Sequence, residues 1–116
     1  ELVYLHIEAT DEAGHEKNVM MKKKMIETID QKIVAPILDE VSRWSDRVRI
    51  LLMPDHPTPV ALGTHTIDPV PYVIWDSKSP RKGPAKFSER VAAKIGRAQV
   101  AHSLLRDKFI QARESL

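Results

Sequence analysis

Three short apolar runs and one long amphipathic stretch set the limits on what this chain can fold into. Residues 2–7 (L-V-Y-L-H-I), 47–53 (R-V-R-I-L-L-M) and 70–75 (V-P-Y-V-I-W) are rich in side chains that favour strands. Between the first two, Met25, Ile26, Ile29, Ile33, Ile37 and Val41 recur every three or four residues, with charges between them. That spacing predicts an amphipathic helix of six turns or more, with Asn18 as its N-cap and an end within residues 42–46. Pro36 should remove one backbone bond from it and bend it. A strand, a long helix and a strand read as a right-handed crossover, hence a parallel pair in an α/β sheet. Pro71 confines the third run to a sheet edge, or delays the start of its pairing.

The chain of 116 residues is one ordinary domain or a piece of a larger one. An apolar run opening at its second residue, with no initiator Met, points to a piece whose N-terminal part lies elsewhere. An apolar sheet edge deprived of its partner strands would favour self-association. With no cysteine, disulfides, thiolate metal sites and cysteine nucleophiles are excluded. No run approaches the roughly 20 apolar residues of a membrane span, and no leader peptide is recognisable, so a cytoplasmic protein without a membrane partner is expected.

Charge is unevenly placed. Residues 1–58 hold 8 Lys/Arg against 11 Asp/Glu, whereas residues 59–116 hold 10 against 5. The basic half is too modest and scattered for a nucleic-acid footprint. Four of the five histidines (His6, His15, His56, His65) lie among the acids of the first 65 residues, which favours metal chemistry.

Residues 54–59 (P-D-H-P-T-P) form a loop at the C-terminal end of the second predicted strand, where open α/β sheets place their ligands. Residues 60–65 read as a short extended piece, and residues 76–86 as a mobile basic loop. Ser88 can cap a helix starting at Glu89, Gly96 interrupts it, and residues 100–112 read as a final helix.

The candidate site comes from three fragments. D-E-A-G-H supplies Asp11 and His15, D-H supplies Asp55 and His56, and G-T-H-T supplies His65. The first two each follow a predicted strand, so they can project from one sheet edge. Two aspartates and three histidines make an oxygen/nitrogen donor set suited to Mn²⁺ or Zn²⁺. Five donors exceed the needs of one four-coordinate ion. Two ions about 3.5–4 Å apart would use them, in an arrangement that clamps a transferring phosphoryl group. Taken alone, Asp11 also has a structural alternative as a helix-entry or turn residue, and Asp55–His56 as a loop dipeptide between prolines. His6 and Glu8, two apart on a strand and so on one face, could orient ligands, or His6 could be a buried, satisfied histidine. Asp68 reads as a turn residue, Lys78, Arg81, Lys82 and Lys86 as a solvated loop, and Lys22–Lys24 as an exposed helix face. His102 has no assigned role.

The string H-I-E-A-T-D-E-A-G-H-E, then P-D-H-P-T-P, then T-H-T-I-D-P-V-P, resembles the C-terminal part of the archaeal-type cofactor-independent phosphoglycerate mutases, of the alkaline phosphatase superfamily. The similarity runs from about residue 3 to about residue 75, with a looser match at residues 87–89. It implies the C-terminal part of a three-layer αβα domain with a mainly parallel sheet, of which residues 1–116 are the metal-binding segment. Asp11, His15 and His65 would hold one ion, and Asp55 and His56 part of the other. The remaining ligands, the nucleophilic serine and an inserted substrate-binding domain would all lie outside this segment, so no catalytic nucleophile is assigned within it and the segment alone should be inactive. The implied reaction is glycolytic: 3-phosphoglycerate and 2-phosphoglycerate interconvert through a phosphoserine. Thr10 stands where the family often has proline, and Lys17–Asn18 where Gly-Asp is common. Those departures keep a homoserine-kinase-like or phosphatase relative open, each acting on another phosphorylated small molecule. A non-catalytic α/β binding module is the third reading.

Overall fold

In a computed structural model of the protein, residues 1–96 and 98–110 are described. They divide into two compact units: Glu1–Arg43 with His56–Asp68, and Trp44–Asp55 with the described residues from Pro69 on.

The first unit is built on helices. Helix α1 (Ala9–His15) carries Asp11 and Glu12 in its first turn, where acids complement the exposed N–H groups, and His15 in its last. It ends in a paired-bond cap. The Lys17 N–H donates to the Gly14 carbonyl at 3.0 Å and the Asn18 N–H to the Ala13 carbonyl at 2.9 Å. This cap needs a left-handed residue, and Lys17 takes it at φ 54°. Asn18 then caps the next helix, as its sequence position predicts. Its Oδ1 accepts from the Met21 N–H at 2.9 Å.

The long helix is continuous but not uniform. Helix α2 (Val19–Ile29) passes through a π-helical segment, Asp30–Val34, into helix α3 (Ala35–Val41). Pro36 causes the change. It has no N–H to give, and its ring crowds the carbonyl four residues back, so the ladder widens just before it. The Ala35 N–H accordingly bonds to the Asp30 carbonyl, five residues back. This displaces the apolar stripe by one residue. Ile37, expected on the shielded face, is exposed, and Leu38 is shielded instead, with Val41 buried beyond it. Ile26, also expected there, is exposed as well.

Residues 56–68 complete the first unit as a loop folded on α1 and α2. The extended piece expected at 60–65 is a helical turn instead. The Leu62 and Gly63 N–H groups donate to the Pro59 carbonyl at 3.0 and 2.8 Å, and Gly63 closes the turn at φ 68°. Residues 2–7 form no strand. A strand exists through its ladder, and no described strand pairs with this run; Val3 and Tyr4 are each 83% exposed.

In the second unit, β1 (Arg49–Leu52) pairs with β2 (Val73–Asp76), so pairing begins after Pro71 as that proline requires. The pair is antiparallel, with Arg49 opposite Asp76 and Leu52 opposite Val73. The parallel crossover expected from residues 2–7 and 47–53 is therefore not what the described residues contain: the described strands form a two-stranded antiparallel sheet. At its end, Arg47 Nη2 and Arg49 Nε donate to Asp76 Oδ2 at 2.7 and 2.9 Å. Ser88 caps helix α4 (Glu89–Ile95), its Oγ accepting from the Val91 N–H at 3.3 Å, and Gly96 ends it at φ 69°. Helix α5 (Ala101–Leu104) leads into a π-helical turn, Leu105–Ile110. The final two residues of the expected last helix, 111 and 112, lie outside the described residues. No described helix is long and apolar enough to cross a membrane.

Two measurements check these local accounts. Asn18→Ala should cost about 1 kcal/mol in denaturant unfolding, the usual worth of such a cap. The Asp76 carboxyl is held far below its ordinary 3.8, first by the Arg47 hydrogen bonds, against partial desolvation, and then by the Lys78 amide and Arg49. A lowered carboxyl stabilises the fold fully above its unfolded value and ceases to do so as protons bind. The unfolding midpoint should therefore fall between about pH 4 and about pH 2, and Asp76→Asn should flatten that limb.

Candidate metal centre

The cluster is assembled by spacing and by one close backbone approach. Asp11 and His15 are four apart on α1 and so share a face. Loop 56–68 brings His65 to that face. It can come so near because residue 14 is glycine: a Cβ there would stand 2.5 Å from the Thr58 carbonyl oxygen and 3.0 Å from Thr58 Cγ2. Lys22 of α2 secures the same loop, its Nζ donating to the Thr58 carbonyl at 2.6 Å.

Among the described residues, Asp11, His15 and His65 place ligand atoms within 4.8 Å of one another. His15 Nε2 lies 3.3 Å from Asp11 Oδ2 and 3.1 Å from His65 Nε2, which is itself 3.2 Å from Asp11 Oδ1. His56 joins by ring contact, its centroid 3.7 Å from that of His65. Asp55 is an exposed residue of the second unit. His6 and Glu8 face each other at 3.9 Å on the surface, and the basic loop side chains Lys78, Arg81, Lys82 and Lys86 are exposed.

The positions of the ring protons decide what the cluster can hold. The Gly63 carbonyl, 3.0 Å from His15 Nδ1, can only accept, so that nitrogen carries the proton. In the neutral ring the Nε2 lone pair then points into the cluster, toward a carboxylate oxygen that is also an acceptor. His65 can supply one proton at most. Acceptor atoms grouped in this way suit a cation, and an imidazole anchored through Nδ1 by a carbonyl is the usual support of an Nε2 metal ligand. Thr66, next to His65, has a buried hydroxyl without a hydrogen-bond partner among the described residues, which leaves further polar capacity in this loop. The donor set fits a divalent ion.

The Asp11 carboxyl is held below its ordinary value, chiefly by the Thr58 hydroxyl at 2.6 Å, with partial burial opposing and His15 and His65 adding to the effect. Lys22, expected on an exposed helix face with Lys23 and Lys24, is instead half-buried and bonded to this loop. Thr58 was not singled out in the sequence. The only signal was a hydroxyl residue set between two prolines beside Asp55–His56.

The chain matches the family model described as the metalloenzyme superfamily over residues 1–108. It belongs to that superfamily. It is also similar to curated relatives named 2,3-bisphosphoglycerate-independent phosphoglycerate mutase. It is 41% identical to the Methanosarcina mazei protein over 96 residues, 83% of this chain and 24% of that one. It is 49% identical to the Methanothrix thermoacetophila protein over 77 residues, 66% of this chain and 20% of that one. A Geobacter sulfurreducens protein named as a probable mutase is 45% identical over 95 residues, 81% of this chain and 24% of that one. The chain thus spans 24% or less of the length of these relatives. No solved structure matches. Within the superfamily the chain is α/β, with described helices and a two-stranded sheet.

Gly14→Ala tests the close approach. Its methyl would have to push the Thr58 carbonyl away, so the variant should lose about 1–3 kcal/mol of stability. Thermal denaturation would read this as a lowered midpoint.

Proposed function

We propose that this chain is the metal-binding segment of a phosphoglycerate mutase that interconverts 3-phosphoglycerate and 2-phosphoglycerate through a phosphoserine. The observation that carries the reading is the meeting of Asp11, His15 and His65 with acceptor atoms inward, in a chain whose relatives bear the mutase name. Asp11, His15 and His65 would hold one divalent ion, and Asp55 and His56 part of a second, as Mn²⁺ or Zn²⁺. When bound, such a pair neutralises charge on the nucleophile and on the non-bridging phosphoryl oxygens.

The residues themselves have preparatory tasks. The Gly63 carbonyl keeps the His15 proton on Nδ1 and so keeps Nε2 open to a ligand role. The Thr58 hydroxyl and the two neighbouring imidazoles keep Asp11 ionised. The serine nucleophile in this reading lies outside residues 1–116, and these residues alone do not turn over substrate. The wider fold is a three-layer αβα domain with a mainly parallel sheet. Support for it comes from Leu2, Val3, Tyr4 and Leu5, strand-favouring apolar side chains that stand exposed here. A cytoplasmic, glycolytic setting follows from the same reading.

A coupled assay of the full-length protein with 3-phosphoglycerate and Mn²⁺ tests the proposal. Formation of 2-phosphoglycerate, lost on chelation and in Asp11→Asn, is the expected result. Turnover of a different phosphorylated metabolite in place of 3-phosphoglycerate would refute the mutase assignment in favour of a phosphatase or kinase-like relative.

A further inference from the structure

We infer that Thr58 is the positioning residue of this centre, holding Asp11 and His56 together through a single hydroxyl. The inference rests on the reading of those two residues as metal ligands. Thr58 is 4% exposed. Its Oγ1 lies 2.6 Å from Asp11 Oδ1 and 3.3 Å from His56 Nδ1. One hydroxyl proton must serve two neighbours, and chemistry decides which receives it. An ionised carboxylate has no proton to give, so Thr58 donates to Asp11. It therefore accepts from His56, which places the ring proton on Nδ1. The Pro57 carbonyl, 3.4 Å from the same nitrogen, is a second acceptor there. In the neutral ring the His56 lone pair then lies on Nε2, the orientation that the Gly63 carbonyl imposes on His15.

The hydroxyl is itself held in place. The Lys22 ammonium ties the Thr58 carbonyl to α2, while the Thr58 side chain reaches Asp11 on α1. Prolines at 57 and 59 restrict the backbone on both sides of it. Asp11 and His56, assigned to different ions, thus share one oxygen atom as their common support. A change at that oxygen alters the carboxylate of one site and the ring of the other at once. Partners of this kind, one bond removed from the metal, typically contribute about 10–100-fold in metal affinity.

The test is a Mn²⁺ titration of the full-length protein, with free Mn²⁺ read by its paramagnetic resonance signal. Thr58→Val keeps the shape and removes the hydroxyl; it should weaken Mn²⁺ binding by about 10–100-fold. Thr58→Ser keeps the hydroxyl and should restore most of that affinity, which a purely packing role would not do. Asp11→Asn is the control for the metal reading. If Asp11→Asn loses Mn²⁺ while Thr58→Val binds as the parent does, the positioning role is refuted and the metal site stands. If neither variant changes binding, the metal reading fails and takes this inference with it. A measurement on the unaltered protein is independent of how the variants fold. Nitrogen-15 correlation spectra of the metal-free protein, at a pH where imidazole is neutral, should show His56 protonated on Nδ1. Protonation on Nε2 would overturn the proposal.

Discussion

The distance between Gly14 and the Thr58 carbonyl governs the rest of the site. A helix and an irregular loop seldom approach so closely, because a side chain normally stands between them. Here hydrogen is the only substituent on the helix side, and the Lys22 ammonium closes the contact from a second helix. With that loop seated, His65 reaches the Asp11–His15 face, the His56 ring lies tilted against His65, and the Gly63 carbonyl falls within reach of His15. The histidine cluster is thus a by-product of backbone packing, and its chemistry follows from which ring nitrogens the backbone carbonyls occupy.

The sequence made some of this legible, for identifiable reasons. Asp11 and His15 stand four apart on a helix, and a spacing of that kind survives any tertiary arrangement. Asn18 and Ser88 act within three residues of themselves, so their caps needed no distant partner. Pro71 announced where pairing could begin. What stayed hidden depended on partners far along the chain. A run such as residues 2–7 has strand composition, yet composition supplies no ladder. The helical turn at 60–63 depends on Pro59 as an acceptor and on Gly63 adopting positive φ, which an extended reading passed over. Thr58 was invisible because its importance lies 47 positions away, at Asp11.

The charge asymmetry of the sequence also takes physical form. In the first unit, the Asp11 carboxylate faces two imidazoles, His15 and His65, with no guanidinium against it among the described residues. In the second, two guanidinium groups already saturate the one shielded acid at the sheet end, Asp76. The same residue type meets a hydroxyl and two imidazoles in one place and two guanidinium groups in the other.

The widened turn before Pro36 has a consequence for how this chain is compared with others. Between Asp30 and Val34 the helix holds one residue more than a regular path of the same length would need. Met25, Ile29 and Ile33 continue into Leu38 and Val41 as one stripe only when that surplus residue is left out of the count. It is in effect an insertion concealed within an unbroken helix. A chain one residue shorter here, and without the proline, would keep the same stripe on the same side. An alignment gap inside residues 30–34 would therefore mark retention of the shielded face and not its loss.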